Sequence, residues 1–393
     1  MRIALIGDHS EGRQFARALV AGGHEIAAYC GRLSLVDDFS GIRVTRDIEE
    51  ILADPGVEAV IVGSKIDVRA EHLRRVLQSE RHALCVHPVA RTPDSAYEAA
   101  MLRGDTGVVL LPLLVDALQP YLLALKDLTA KNAPKLGELR FLITEHCSLE
   151  TIFKEPDSAG RSAGLSAWEW LRELHGEIVD VNAYADGDEL SDELPLFIAG
   201  RFEKGGIFQS IYHPRAHLER QVLYWQGTGG RAELQLLANC GTAARLRWWI
   251  KDQPPEEQTW DSIDRWQPLV KVFNASIEEW RRRPVISPAG SEPERESSPV
   301  YPSWQDEIRI LEIEDAARRS IAHHRTVSLE FPEATEEAGF KGTMTLVGCG
   351  LLWVLILLLV LSRWLPWLGW VVIPLIVVFL ALQLLRWVVP PGR

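Results

Sequence analysis

Five short apolar runs, at residues 3–6, 25–30, 57–62, 83–86 and 108–113, punctuate the first 130 residues, with helix-like stretches such as 68–80 and 95–102 between them. Apolar runs of strand length that alternate with amphipathic segments build βαβ units, and such units close into a parallel sheet covered by helices. The first strand-to-helix turn reads Gly7-Asp8-His9-Ser10-Glu11-Gly12. Its outer glycines occupy the first and last places of G-x-G-x-x-G, the turn that carries a dinucleotide's pyrophosphate onto a helix N-terminus. Gly7 permits the tight turn and Gly12 permits close helix packing, but His9 stands where a middle glycine lets backbone approach the phosphates. A side chain there crowds that approach, while the helix amides and the Ser10 hydroxyl can still hold a phosphate.

Beyond residue 130 the period changes. Segments 179–185, 196–202, 206–213, 221–226 and 231–237 read as strands, some separated by turns such as Glu203-Lys204-Gly205-Gly206. This predicts a second, α+β domain over 131–332 with an open antiparallel sheet. Within it, 284–303 is a Pro-, Ser- and Glu-rich loop, and 304–324 is a return helix with Ile310, Ile313, Ala317 and Ile321 on one face. The basic run Arg281-Arg282-Arg283 reads as a solvated helix end.

After a linker at 333–342, residues 343–362 and 364–385 carry no charge. Each is long enough to cross a hydrocarbon core, so 343–389 is predicted to form a transmembrane helical hairpin in contact with the lipid bilayer. Trp364, Trp367, Trp370 and Trp387 fall where indoles favour the interface. Lys341, Arg386 and Arg393 outweigh Arg363, which places both hairpin ends, and the soluble domains, on the cytoplasmic side of the inner membrane. The formal charge of −12 disfavours nucleic acid and anionic lipid, so the membrane hold would be hydrophobic. The five scattered cysteines have no metal-ligand spacing, and no metal is expected.

The order of Rossmann-like domain, sheet domain and late helix resembles the glucose–fructose oxidoreductase/inositol dehydrogenase (Gfo/Idh/MocA) family. Residues 57–88, VEAVIVGSKIDVRAEHLRRVLQSERHALCVHP, are similar to that family's stretch from its fourth strand to its Glu-Lys-Pro motif. Residues 121–145 and 304–329 resemble its helix into the second domain and its C-terminal helix with the final strand. The resemblance spans 1–331 and implies NAD(P)-dependent oxidation or reduction of polyols or sugar derivatives. It also marks departures. Glu-Lys-Pro is Val86-His87-Pro88, the family's Asp and His of the second domain fall at Ser162 and Ser166, and an acid one turn later survives as Glu169. The family's Thr-Pro is Ser64-Lys65, and its ribose-binding acid is Gly31, followed by Arg32.

Serine without an activating partner is a poor general base. His87 is the one replacement with suitable chemistry, because histidine titrates near roughly 6.5; otherwise it is a strand-end ring bonded to backbone. The main expectation is therefore a membrane-anchored binding, sensing or scaffold module that has lost the family's catalysis. The alternative is an active oxidoreductase with His87 as acid/base. The cofactor-binding set is Gly7, His9, Ser10, Gly12, Arg32, Ser64 and Lys65, and Arg32 favours NADP over NAD. A sugar-like ligand and a homo-oligomer through the second sheet complete the expected partners. Trp168, Trp170, Trp248 and Trp249 either stack on a sugar or pack a core.

Overall fold

The computed structural model describes residues 1–31, 41–129, 135–149, 168–187, 195–216, 220–237, 243–282 and 301–329. Arg32, Ser162, Ser166 and the predicted hairpin at 343–389 lie outside them. Among the described residues, no helix is long and apolar enough to cross a membrane.

The first sheet is built from strands buried on both faces, as a helix-covered parallel sheet requires. In chain order its elements are β1 (Arg2–Ile6), α1 (Ser10–Ala21), β2 (Glu25–Cys30), β3 (Arg43–Thr45), α2 (Ile48–Leu52), β4 (Ala59–Val62), α3 (Ile66–Gln78), β5 (His82–Cys85), α4 (Asp94–Thr106) and β6 (Leu110–Pro112). The strands lie in the order β3-β2-β1-β4-β5-β6, all parallel. This is the doubly wound order, with the crossover point between β1 and β4. The loops that follow these two strands therefore face each other at one end of the sheet. Sequence periodicity showed every strand here except the three-residue β3.

After α5 (Pro120–Thr129), β7 (Leu139–Leu149) enters a second sheet. There follow α6 (Trp168–His175), β8 (Ile178–Ala185), β9 (Leu196–Phe202), β10 (Ile207–Ala216), β11 (Arg220–Gly227), β12 (Gly230–Leu237), β13 (Ala243–Ile250), β14 (Glu256–Trp260), α7 (Gln267–Arg282), α8 (Trp304–His323) and β15 (Val327–Ser328). The nine strands run β14-β13-β12-β11-β7-β10-β9-β8-β15. The predicted antiparallel sheet needs correction, because β7 and β10 pair in parallel, with Ile207 opposite Phe141. Alternation of apolar residues reports which face of a strand is buried and carries nothing about the direction of its neighbour. Trp168 and Trp170 are core residues of this half, 1% exposed each.

α8 binds the halves together, and α7 covers the far face of the first sheet. α8 starts at Ser303, whose capping box with Asp306 satisfies the first-turn amides. One side of α8 places Trp304, Ile308 and Leu311 in the core of the first sheet, and the other places Ile310, Ile313, Ala317 and Ile321 against the second. α7 covers the opposite face of the first sheet with Leu269, Val270, Phe273 and Ile277, and ends in the predicted basic run.

α7 also shields His82, the first residue of β5. The Trp280 ring meets the imidazole edge-on at 4.5 Å, and His82 Nδ1 accepts the Val109 amide at 3.1 Å. Burial pushes this histidine down to about 4, with the Arg281 charge adding to it against the opposing charge of Glu58. An unfolded histidine binds its proton below roughly 6.5. The His82 contribution to stability is thus fully present above that value and is lost as pH falls toward about 4. His24, His72 and His175 are lowered by burial too and act in the same direction. His82→Asn keeps an acceptor for Val109 without the titration. Urea midpoints at pH 7 and pH 5 should therefore differ less for this variant than for the native protein, and an equal difference would remove His82 from the explanation.

Candidate active site

The carboxyl ends of β1, β4 and β5 meet at one rim. Gly7 turns sharply with φ +96°, and a Cβ there would collide with the Gly63 carbonyl at the end of β4. Its amide donates to Cys30 O at 2.8 Å, which ties the turn to the end of β2. The His9 amide donates to Gly63 O at 3.1 Å, and Ser10 opens α1. Ser64 and Lys65 follow β4 directly, with Lys65 as N-cap of α3 and Ser64 Oγ 2.6 Å from His72 Nδ1. Gly7, His9, Ser10, Gly12, Ser64 and Lys65 are thereby brought to one place.

His9 caps the helix with its own ring: Nδ1 accepts the Glu11 amide at 3.3 Å, and the side chain is 8% exposed. One first-turn donor that a phosphate would use is thus held by imidazole. Glu11, in the same turn, is buried and lies 3.7 Å from the Arg265 guanidinium. Arg265 also grips Asp116 after β6 at 2.9 Å. These residues fit a nicotinamide dinucleotide in the main chain, which supplies a tight turn and a helix N-terminus. The His9 ring and the buried Glu11 carboxylate work against it.

His87 lies two residues beyond β5, before a cis His87–Pro88 peptide. Its ring lies along α8: Nδ1 is 2.7 Å from Glu307 Oε2, and Nε2 is 3.9 Å from Glu314 Oε1. An ionised carboxylate oxygen only accepts, so Nδ1–H donates to Glu307 and Nε2 is the nitrogen left for proton exchange. Glu307 is 1% exposed and uses Oε1 to accept the Val89 amide at 2.8 Å, so it fixes both the ring and the chain behind it. Beneath them lies Arg69, fully buried on the first turn of α3. It donates to Ser64 O at 2.9 Å and Pro88 O at 2.6 Å. Glu169 accepts the Asp116 and Ala117 amides at 3.0 and 3.4 Å and the Tyr301 hydroxyl at 3.1 Å. Burial, then the Glu169 charge, raises the Tyr301 phenol well above its ordinary value, so it stays a donor. Glu169 is therefore a brace between the end of the first sheet and the entry to α8.

A six-stranded parallel sheet with a glycine turn after β1 is a dinucleotide architecture, and comparison with known proteins specifies it further. Residues 1–112 match the model of the Gfo/Idh/MocA oxidoreductase family, NAD-binding Rossmann fold. The Gfo/Idh/MocA match ends at Pro112, the last residue of the first sheet. A curated relative, 1,5-anhydro-D-fructose reductase of Ensifer adhaerens, is 33% identical over 63 residues, covering 16% of this chain and 19% of that protein. Similar solved structures include levoglucosan dehydrogenase in complex with NADH and levoglucosan: TM-score 0.67, 17% identity, 85% of this chain and 99% of that one. Biliverdin reductase from Synechocystis sp. PCC 6803, in complex with biliverdin and NADP+, has a TM-score of 0.63 at 16% identity, covering 81% and 98%. At these identities the likeness to the solved structures is one of fold, and it extends over both domains.

Four residues of the rim were not singled out from sequence: Asp8, Arg69, Arg265 and Glu307. Asp8 occupies a variable place in the glycine motif. The other three sit on helices or loops where charge reads as solvent-facing.

Proposed function

We propose that the chain is an NAD(P)-dependent oxidoreductase of a hydroxyl-bearing, sugar-like small molecule, with His87 as the proton-transfer group and Glu307 as its positioning residue. The observation that carries this reading is the His87–Glu307 pair at the carboxyl end of β5, beside a Gfo/Idh/MocA-type glycine turn. A bound nicotinamide dinucleotide would supply the hydride acceptor or donor. The chain supplies the proton chemistry. Glu307 holds the tautomer in which Nε2 is basic, as the acid of a hydrolase triad holds its histidine. With a proton gained at Nε2 the imidazolium would lie between two carboxylates, Glu307 2.7 Å from Nδ1 and Glu314 3.9 Å from Nε2, whose charges stabilise it. The test is a screen of the full chain with NAD and NADP against polyols, aldoses and keto sugars, read as the absorbance of reduced nicotinamide. Turnover with one class of sugar-like compound is expected; a folded protein inactive in both directions with all of them sinks the reading.

The His9 cap favours a second reading, a module that holds a ligand without turnover. Loss of one amide and a buried acid in the first turn of α1 both weaken a phosphate site. The same screen separates the two, since a binding module shows saturable ligand binding and no change in nicotinamide absorbance.

In either case the hydropathy of 343–389 supports anchoring to a bilayer, with the domains on the cytoplasmic side. The full chain should float with vesicles of neutral lipid in high salt, and a chain lacking 343–393 should not. Release by salt alone would contradict a hydrophobic anchor.

A further inference from the structure

In the resemblance outlined above, the acid that binds the adenosine ribose follows β2, at the position of Gly31. A Cβ on Gly31 would run into Tyr29 Oη and Asp8 Oδ1, so that corner is already filled. What fills it is a carboxylate that arrives from the glycine turn. Asp8 is the residue after Gly7, and the bond from the Gly7 amide to Cys30 O at 2.8 Å holds the turn against the end of β2. Tyr29, 2% exposed, donates its hydroxyl to Asp8 Oδ1 and fixes the carboxylate beside Gly31. A carboxylate has about four acceptor sites, more than one tyrosine hydroxyl can fill.

We propose that Asp8 replaces the acid missing after β2, accepting from the adenosine ribose hydroxyls, and that it makes the site select a dinucleotide without a 2′-phosphate. A vicinal diol offers two hydroxyl donors, which suit an acceptor-only group. A 2′-phosphate offers oxygens and nearly two negative charges, which a fixed carboxylate repels. Other carboxylates gather at the same edge. The Cys30 thiol is pushed up by burial and then by the charges of Asp47, Asp8 and Glu50, so three carboxylates act on this end of β2. Glu50 accepts from Thr45 Oγ1 at 2.7 Å, and Asp47 caps α2 at the Glu49 amide. Arg43 on β3 pairs with Asp54 at 3.4 Å and donates to Glu50 O at 3.1 Å. Arg32, which follows Gly31 in sequence and lies outside the described residues, is the competing signal.

The inference rests on the reading that a dinucleotide binds at the glycine turn, and its test separates the two. The full chain is titrated with NAD and with NADP by calorimetry, alongside Asp8→Asn, Tyr29→Phe and Arg32→Ala, each verified as folded by its cooperative melt. NAD should bind at least tenfold more tightly than NADP. Asp8→Asn should weaken NAD several-fold and shrink the ratio, and Tyr29→Phe, which keeps the acid but frees its position, should shrink it less. NADP binding as tight as NAD, or a ratio unchanged by Asp8→Asn, overturns the assignment while leaving the dinucleotide reading standing. Loss of NADP binding in Arg32→Ala would transfer the role to Arg32. Failure of both dinucleotides to bind the folded native chain ends the broader reading and this one with it.

Discussion

Replacing Arg69 with alanine should destabilise the protein by about 3–5 kcal/mol, more than most single substitutions. The guanidinium is wholly buried and donates to Ser64 O and Pro88 O, with Val86 O at 3.5 Å. Alanine would strand those carbonyls, at about 1–3 kcal/mol for each buried group left unsatisfied. It would also open a cavity that neighbouring atoms fill only in part. Lysine is a weaker rescue than its charge suggests. A single ammonium on a flexible stem cannot bridge carbonyls in the segments after β4 and β5 as a planar fork does. Urea unfolding of the full chain gives the number, and a loss below about 1 kcal/mol would mean that water replaces the clamp. The same residue sets the site, because it fastens the end of β4 to the segment that carries His87.

The second large effect is on turnover. His87→Ala should lower kcat by about 10²- to 10⁴-fold, the usual contribution of a positioned acid or base. Dinucleotide affinity should stay within a few-fold, since the glycine turn and α1 are untouched. The bland reading of His87, a ring that braces α8 against the first sheet, makes a different forecast. It predicts lower stability with unchanged specific activity of the folded fraction. Glu307 sharpens the contrast. His87→Ala leaves Glu307 1% exposed and without its imidazole, so stability should fall and be partly restored in the double variant His87→Ala/Glu307→Ala. Activity should not return with it. Recovery of both together would assign the pair to structure alone.

The first domain was the most legible part of the chain. Doubly buried strands such as 59–62 and 83–85 are continuous apolar runs, and Gly7 sits at the only kind of turn that links β1 to α1 so tightly. The return helix was equally readable from Ile310, Ile313, Ala317 and Ile321, which do face the second sheet. Strand direction was not readable: β10 lies parallel to β7 because of how the chain returns through α6, β8 and β9, and a local pattern carries no trace of that path. The site divides the same way. His87 stood out because a motif read as Glu-Lys-Pro in the resembling family is Val86-His87-Pro88 here. Its partner Glu307 lies 220 residues away on a helix whose acids look solvent-facing. Arg69 belongs to a charged, helix-forming stretch in which no period marks a buried guanidinium. Asp8 is hidden for another reason, since a motif scan weighs the glycines and passes over the residues between them.

Hydrogen exchange of the full chain with and without NAD tests the central claim most directly, because it reports both binding and place. Ligand-dependent slowing should appear in peptides covering residues 7–13 and 86–90, the glycine turn with the start of α1 and the His87 segment. Unchanged exchange in both segments at saturating NAD, or protection confined to the second sheet, would contradict the account.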